Sequence, residues 1–388
     1  MLSSVLEILS TLVAFDTTSR HSNLALIEWV EHYLAHFGIA SRLTWSDDQK
    51  KANLFACVGP TDKPLLLLSG HTDVVPVDGQ KWRTPPFSLH VTHQRAYGRG
   101  TSDMKGFIAC LLAWVPALVS RAQKGELKQA IGIALSYDEE IGCLGVGRLI
   151  NDLVAMGVVI SGCIVGEPTA MQAIIAHKGI AHYRCRVLGR AAHSSLTPNG
   201  VNAIEYASSL IQYIRKLAEV ESQAGQRNPV YDVPFSTLQT GMIGGGCAAN
   251  IIPKECEFVF ECRWLPGDSP QRFLSLIEEY AKKLMTEMHT VAPESTIVFE
   301  ELVKCPPFEA VKNSVVLHYI RERKEGHYPG RGVAYTTEAG HFSAAGIPSV
   351  VFGPGSINQA HCPDEYIELA ELDACVAWMN WLETRLCI

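Results

Sequence analysis

The stretch Leu65–Val77, LLLLSGHTDVVPV, runs four leucines straight into Ser-Gly-His-Thr-Asp. Four consecutive apolar residues suit a strand buried on both faces, as in a parallel sheet packed between helices. The C-terminal ends of such strands line the crevice where α/β proteins do their chemistry. Side chains two apart on a strand point the same way, so His71 and Asp73 are expected to project together from the strand end. One His-x-Asp carries little weight alone. Its meaning depends on what the rest of the chain brings to the same place.

A chain of 388 residues exceeds one ordinary small core, and two domains are expected. Hydrophobic residues make up 47% and charged residues 19%, a balance of packed globular proteins and not of disordered ones. The formal charge is −7 with no dense Lys/Arg cluster, which argues against a nucleic-acid partner. The longest apolar stretch, Phe107–Val119, is short for a bilayer and contains Pro116, so no membrane partner is expected. The N-terminal MLSSVLEILSTLVAF has no basic leader and holds Glu7. With Leu2, Leu6, Leu9 and Val13 on one face, it reads as a helix and not as a signal peptide. The twelve cysteines include no C-x-x-C pair and are expected as reduced thiols of a cytoplasmic protein. A metal would then sit on His and carboxylates.

Up to residue 176, short apolar strands (KPLLLLSGH, QAIGIALSYDEE, GCIVGEPT) alternate with helical stretches (LIEWVEHYLAHFG, closed by Gly38, and MKGFIACLLAWVPALVSRAQ). That alternation predicts an α/β fold with a parallel or mixed sheet. Residues 177–305 read differently. IAHYRCRVLGR alternates apolar and polar, and a helix, two strands, a second helix and the strand STIVFEEL follow. The order β-α-β-β-α-β is that of a ferredoxin-like α+β unit, expected as a domain inserted into the first. Residues 306–388 return to the first domain.

Several strand ends or turns outside the insertion carry potential metal ligands. They are His71 with Asp73, Asp103 in GRGTSDMKG, Glu139 and Glu140 in SYDEEIG, and Glu167 in VGEPT; His361 lies in INQAHCPDEY. Each has a plain alternative. Asp103 could cap a helix beginning near Met104, Glu139 and Glu140 could be a solvated turn, Glu167 a loop acid, and His361 a hydrogen-bonded core or surface histidine. The alternatives must all hold at once, however, and the groups cluster where buried strands end. Two imidazoles with several carboxylates suit Zn²⁺ or a similar first-row ion, and a bridging carboxylate holds two ions about 3.5–4 Å apart.

GHTDVVPVDGQKWRTPPFSLHVTHQRAYGRGTSDMKGFIA, YDEEIGCLGV, GEPT, AHKG, AAHSS and FGPGSINQAHCPDEYIEL together resemble the zinc-dependent aminoacylase / acetylornithine deacetylase / succinyl-diaminopimelate desuccinylase metallopeptidase family. The resemblance covers essentially the whole chain. It implies a dinuclear-metal hydrolase domain (1–176 and 306–388) carrying an inserted lid and dimerisation domain (177–305), and a homodimer. It implies two Zn²⁺ per chain, with Co²⁺ able to substitute. His71, Asp103 and Glu167 would hold one ion and Asp103, Glu140 and His361 the other. Asp73 would accept a hydrogen bond from the His71 ring, and Glu139 would be the general base. His193 in GRAAHSS matches a histidine that reaches the neighbouring subunit's site, although a surface histidine is the plain alternative. Asn250 in AANIIP and Arg263 in ECRWLPG match residues that hold a substrate carboxylate.

The implied reaction takes an acyl group off the α-nitrogen of a small N-acyl amino acid. GPGSINQAHCPDEY and TTEAGHF favour the acetylornithine branch, giving ornithine and acetate in arginine biosynthesis. N-acetylcitrulline and N-succinyl-diaminopimelate remain open as substrates, and a metal-binding regulatory protein without turnover remains open as a different class. A pocket for the ornithine δ-ammonium should offer an acid; Glu338 in YTTEAGHF is the candidate, with a structural turn residue as the alternative. Cys143 shows no base partner in sequence and is expected as a core thiol.

Overall fold

The computed structural model describes residues 2–323 and 330–387. The chain divides into two compact units, one of Met1–Ala176, Phe308–Gly332 and Thr337–Ile388, the other of His177–Pro307 and Val333–Thr336.

A nine-stranded mixed sheet organises the first unit. Its order is Ser41–Trp45, Ala52–Val58, Ile131–Ser136, Leu65–His71, Ile160–Val165, Ser349–Val351, Ile174–His177 and Phe308–Glu309, with Arg331–Val333 paired to Ile174–His177. Ile131–Ser136, Leu65–His71, Ile160–Val165 and Ser349–Val351 are mutually parallel, and antiparallel strands flank them. All seven residues of Leu65–His71 are buried, which is why its apolar run does not alternate. Register places Leu66 opposite Ile131 and His71 opposite Ser136. The residues that follow His71, Ser136 and Val165 therefore leave the sheet from the same edge. This registration puts the candidate ligands within reach of one another.

The helices Leu2–Ala14, Gly106–Gln123 and Leu369–Leu386 pack on one another. With its preceding turn the middle one runs Thr101–Gln123, longer than the apolar stretch read from sequence and long and apolar enough to cross a membrane. Within the protein, 83% of its apolar window is buried, as a core helix requires. The helix Leu24–His36 ends as expected at Gly38, whose φ of 74° lets the Gly38 and Ile39 N–H groups bond back to the carbonyls of Ala35 and Leu34.

The second unit runs strand Gly179–Leu188, helix Ala203–Ala224, strands Thr237–Gly245 and Glu255–Trp264, helix Pro270–His289 and strand Thr296–Cys305. Its sheet is wholly antiparallel, with the strands in spatial order second, third, first, fourth. That is the split β-α-β arrangement. Side-chain caps start both helices: Asn202 accepts from the N–H groups of Ile204 and Glu205, and Ser269 accepts from Gln271 with Pro270 at the first helical position. The core joins Tyr183, Phe258 and Phe260 of the sheet to Leu210, Ile214, Phe273 and Ile277 of the helices.

Leu67 is fully buried in the central strand. Leu67→Ala should lower stability by about 2–5 kcal/mol, the usual cost of removing a buried leucine side chain. Val159→Ala, at a position 63% exposed, should stay within about 0.5 kcal/mol. Chemical denaturation of both variants compares them, and equal small losses would contradict the central role of this strand.

Candidate active site

His71 ends its strand with a buried ring whose Nδ1–H donates to the Asp73 carbonyl at 2.9 Å. That leaves Nε2 to meet the acids of the site. It faces Asp103 Oδ1 at 3.0 Å and Glu167 Oε1 at 3.8 Å. The expectation for Asp73 changes here, because the ring bonds to its backbone carbonyl while the nearer carboxylate oxygen stands 3.6 Å off. The carboxylate is occupied elsewhere: Oδ1 accepts the Glu139 N–H at 3.1 Å, and Oδ2 accepts the Glu140 N–H at 3.2 Å and the Ser19 hydroxyl at 2.7 Å. Asp73 thus holds the ring with its main chain and the glutamate turn with its side chain.

Asp103 does not cap a helix. Gly106–Gln123 starts three residues later, and Thr101–Lys105 forms a widened turn in which Asp103 has non-helical angles of −124° and 93°. Its carboxylate faces inward, to His71 and to His361 Nε2 at 3.4 Å. The turn is anchored by Lys105, whose buried ammonium donates to the carbonyls of Leu12 and Phe15 at the end of the first helix. Sequence reading passed over this lysine because its partners lie some 90 residues away.

Glu139 and Glu140 follow Asp138, a residue with φ of 57° that pairs with Lys51. Glu140 Oε2 meets His361 Nε2 at 2.9 Å. Glu139 Oε1 accepts a weak hydrogen bond from the Cys143 thiol at 3.4 Å, so this buried thiol does touch an acid of the site. Glu167 follows the Ile160–Val165 strand and is buried, and among the described residues its Oε1 accepts no hydrogen bond.

The donor atoms are spaced for coordination. His71, Asp103 and Glu140 each offer one atom within 4.8 Å of the others, and so do His71, Glu139 and Glu167. Tetrahedral ligands bound at about 2.0–2.1 Å lie about 3.3 Å from one another. The distances of 2.9, 3.0, 3.4 and 3.8 Å found among these groups bracket that value. Glu139 lies as near His71 and Glu167 as a ligand would, so proximity alone does not separate a base from a ligand.

Electrostatics point the same way. Burial, with the neighbouring carboxylate of Asp103, pushes Glu140 up to about 7. Burial and neighbouring acids also raise Glu139 and Glu167. Asp103 goes down despite its burial, because His361 and His71 hydrogen-bond to it. His361 is raised to about 10 by Asp103 and Glu140, and in His71 the pull of Asp103 and Glu167 outweighs burial. Buried carboxylates in excess of nearby cations, one with an unused oxygen, make a site whose missing partner is positive charge.

Glu338 also belongs to the first unit. It is 1% exposed, and burial pushes it up to about 7 against the pull of the adjacent Ser136 hydroxyl and the His71 ring. His193, Asn250 and Arg263 lie in the second unit. The exposed His193 accepts the Ser195 N–H at Nδ1, which leaves Nε2–H pointing outward as a donor. The Asn250 carbonyl accepts the Ser194 N–H, and Arg263 forms a two-bond pair with Glu261 and donates to the Ala334 carbonyl.

Peptidase family M20/M25/M40 matches residues 67–382. The acetylornithine deacetylase of Myxococcus xanthus is 33% identical over 374 residues, 95% of this chain and 94% of that protein. An M20 family metallo-carboxypeptidase of Sulfolobus solfataricus, 19% identical, superposes with a TM-score of 0.74 over 96% of this chain and 97% of its own. The YXEP protein of Bacillus subtilis, described as a dinuclear metal binding peptidase from the M20 family, is 13% identical, with a TM-score of 0.64 over 97% and 96% of the two chains. At those identities the two structures speak for the fold alone. The family match and the full-length relative speak for more: this chain is a hydrolase that belongs to peptidase family M20/M25/M40.

Proposed function

We propose that the protein hydrolyses the acetyl amide of N2-acetyl-L-ornithine to L-ornithine and acetate, as a cytoplasmic homodimeric enzyme of arginine biosynthesis holding two Zn²⁺ per chain, with Co²⁺ able to substitute. The observation that carries the reading is the ring of His71, Asp103, Glu139, Glu140 and Glu167, closed on its solvent side by His361, in a chain one-third identical over nearly its full length to an acetylornithine deacetylase. His71, Asp103 and Glu167 would hold one ion and Asp103, Glu140 and His361 the other. When bound, such ions lower the pKa of water and polarise an amide carbonyl.

The chain's own groups do the remaining work. Glu139 takes a proton from the attacking water and delivers it to the leaving α-amine; burial, which raises its pKa, suits it to both tasks. Asp73 fixes the glutamate turn through two backbone N–H groups, so Glu139 keeps its aim while its proton moves. His193, supplied by the second copy, offers Nε2–H to the oxyanion of the tetrahedral state. Asn250 and Arg263 bind the substrate carboxylate. Arg263 keeps N–H capacity beyond its bonds to Glu261 and Ala334, since a guanidinium carries five donors. Support for the dimer comes from Thr237–Gly245, an edge strand of its sheet with Met242 and Ile243 69% and 58% exposed. Residues 177–305 would serve as the lid and dimerisation domain. Glu338 would answer the δ-ammonium, because it is a buried acid of the first unit close to Glu139 and His71.

Three measurements test these assignments. Glu139→Gln should lower kcat by about 10²–10⁴ while metal content stays at the parental level; a near-normal rate in the metal-loaded variant removes Glu139 as the base. Among N-acetylornithine, N-acetylcitrulline and N-succinyl-diaminopimelate, the first should give the highest kcat/KM, and Glu338→Gln should depress it far more than the value for N-acetylmethionine. Equal losses would assign Glu338 to structure. Mixing the inactive Glu139→Gln and His193→Ala proteins should restore activity once subunits exchange, because a mixed dimer contains one site with both groups intact. No recovery despite verified exchange would mean that His193 does not serve a neighbour.

A further inference from the structure

Outside the ligands, the most completely bonded polar group near the site is Glu365, in HCPDEY, which neither the ligand set nor the proposed chemistry uses. It is 1% exposed. Its Oε1 accepts the Ser102 N–H at 2.9 Å and the Asp103 N–H at 3.1 Å; its Oε2 accepts the Gly100 N–H at 2.9 Å and Arg99 Nη1 at 2.8 Å. Four donors on two oxygens use nearly all the capacity of a carboxylate. Three of them are main-chain groups of the turn that presents Asp103.

Arg99, also 1% exposed, carries the connection onward. Its Nη1 reaches the Cys362 carbonyl at 3.3 Å, and its Nη2 donates to Gln80 Oε1 at 2.6 Å. Gln80 Nε2 in turn donates to the His361 carbonyl at 2.9 Å. A continuous path therefore starts at the backbone of Asp103 and ends at the backbone of His361. It is closed by the small antiparallel sheet in which Tyr366–Glu368 pairs with Arg95–Tyr97.

Stability alone is a poor reason for this construction. Replacing a buried ion pair by packed apolar residues is often neutral or favourable. An apolar pair could not, however, grip three N–H groups of one turn, the Cys362 carbonyl of another and the side chain of Gln80. The need for a grip is unequal across the site. His71 is fixed by the central sheet, and Glu167 lies two residues past the end of its strand. His361 has a side chain 54% exposed and a backbone φ of 63°, outside any strand or helix, so little else holds it.

We propose that Arg99, Glu365 and Gln80 are positioning residues that set the spacing between Asp103 and His361 and so determine how tightly the protein keeps the cation these two would share with Glu140. The inference rests on the two-ion reading above. Of these two, Gln80 bonds directly to His361 and reaches Asp103 only through Arg99, whereas Glu365 bonds directly to Asp103, which both ion sites share.

The test is Co²⁺ titration of the whole protein against a chromophoric chelator, with the visible absorption of each bound ion recorded. We assign the weaker site to Asp103, Glu140 and His361, because His361 is the exposed and least anchored ligand. In Gln80→Met, close in volume and only partly exposed in the parent, that site should lose about 10–100-fold in affinity, the usual effect of removing a group that orients a metal ligand. The tighter site should stay within about threefold of the parent. Glu365→Gln should weaken both sites and alter both spectra; should it fail to fold, Gln80→Met decides the matter. Unchanged affinity at the weaker site in Gln80→Met, or equal loss at both of its sites, overturns the positioning role while leaving the two-ion reading intact. A parent protein that binds only one ion overturns the two-ion reading, and this inference with it.

Discussion

Like charges have to be brought together out of water, and the first unit is arranged around meeting that constraint. Glu167, Asp103 and Glu338 are buried and Glu139 and Glu140 are only partly exposed, and at close range such groups repel one another strongly. Side chains alone could not hold them there. The backbone does, through two further carboxylates that stay outside the ring of candidate ligands. Asp73 accepts the N–H groups of Glu139 and Glu140, and Glu365 accepts those of Gly100, Ser102 and Asp103. Hydrogen bonds to charged acceptors are the strong kind, and each of these acids gathers several. The parallel strands then fix where each anchored turn begins.

What could be read from the sequence follows from this division of labour. Leu65–Leu68 announced a strand buried on both faces, and the abrupt change to Ser-Gly-His-Thr-Asp marked its working end; both are local signals. The β-α-β-β-α-β pattern was equally legible, since alternation in IAHYRCRVLGR and the Ser269–Pro270 helix start need only neighbouring residues. The groups that anchor the turns were not legible. Glu365 lies more than 260 residues from the N–H groups it binds, and Lys105 about 90 from its carbonyls. No periodicity encodes such pairings.

The finer detail of the site lies in atoms and not in residues. Asp73 was expected at His71 and is there, yet it bonds through its carbonyl, because its carboxylate oxygens face the glutamate turn. Asp103 precedes a helix, as a cap should, but a widened turn intervenes and swings the carboxylate inward. Cys143 is buried, as a core thiol would be, and still touches Glu139. In each case the residue type limited the options and the path of the backbone chose among them.

The electrostatic and coordination properties of the site are one free energy seen from two sides. A carboxylate whose pKa is raised in the fold, such as Glu140 at about 7, is penalised when ionised. Its contribution to stability therefore falls as pH rises from its ordinary value near 4.5 through about 7, because the folded state binds more protons than the unfolded one there. His361, raised to about 10, has the same sign in a higher window: its contribution is complete below the ordinary histidine value near 6.5 and is lost as pH rises from there through 10. Protons thus compete for the same oxygens that a divalent cation would take, and the mutual repulsion that adds to burial in raising the glutamate pKa values is also what such a cation would relieve. Burial tightens both effects together. An active site of this kind needs its rigid hydrogen-bonded turns for the same reason that it can hold metal: relaxing the turns would let the acids move apart, and the negative field that favours the cation would weaken with them.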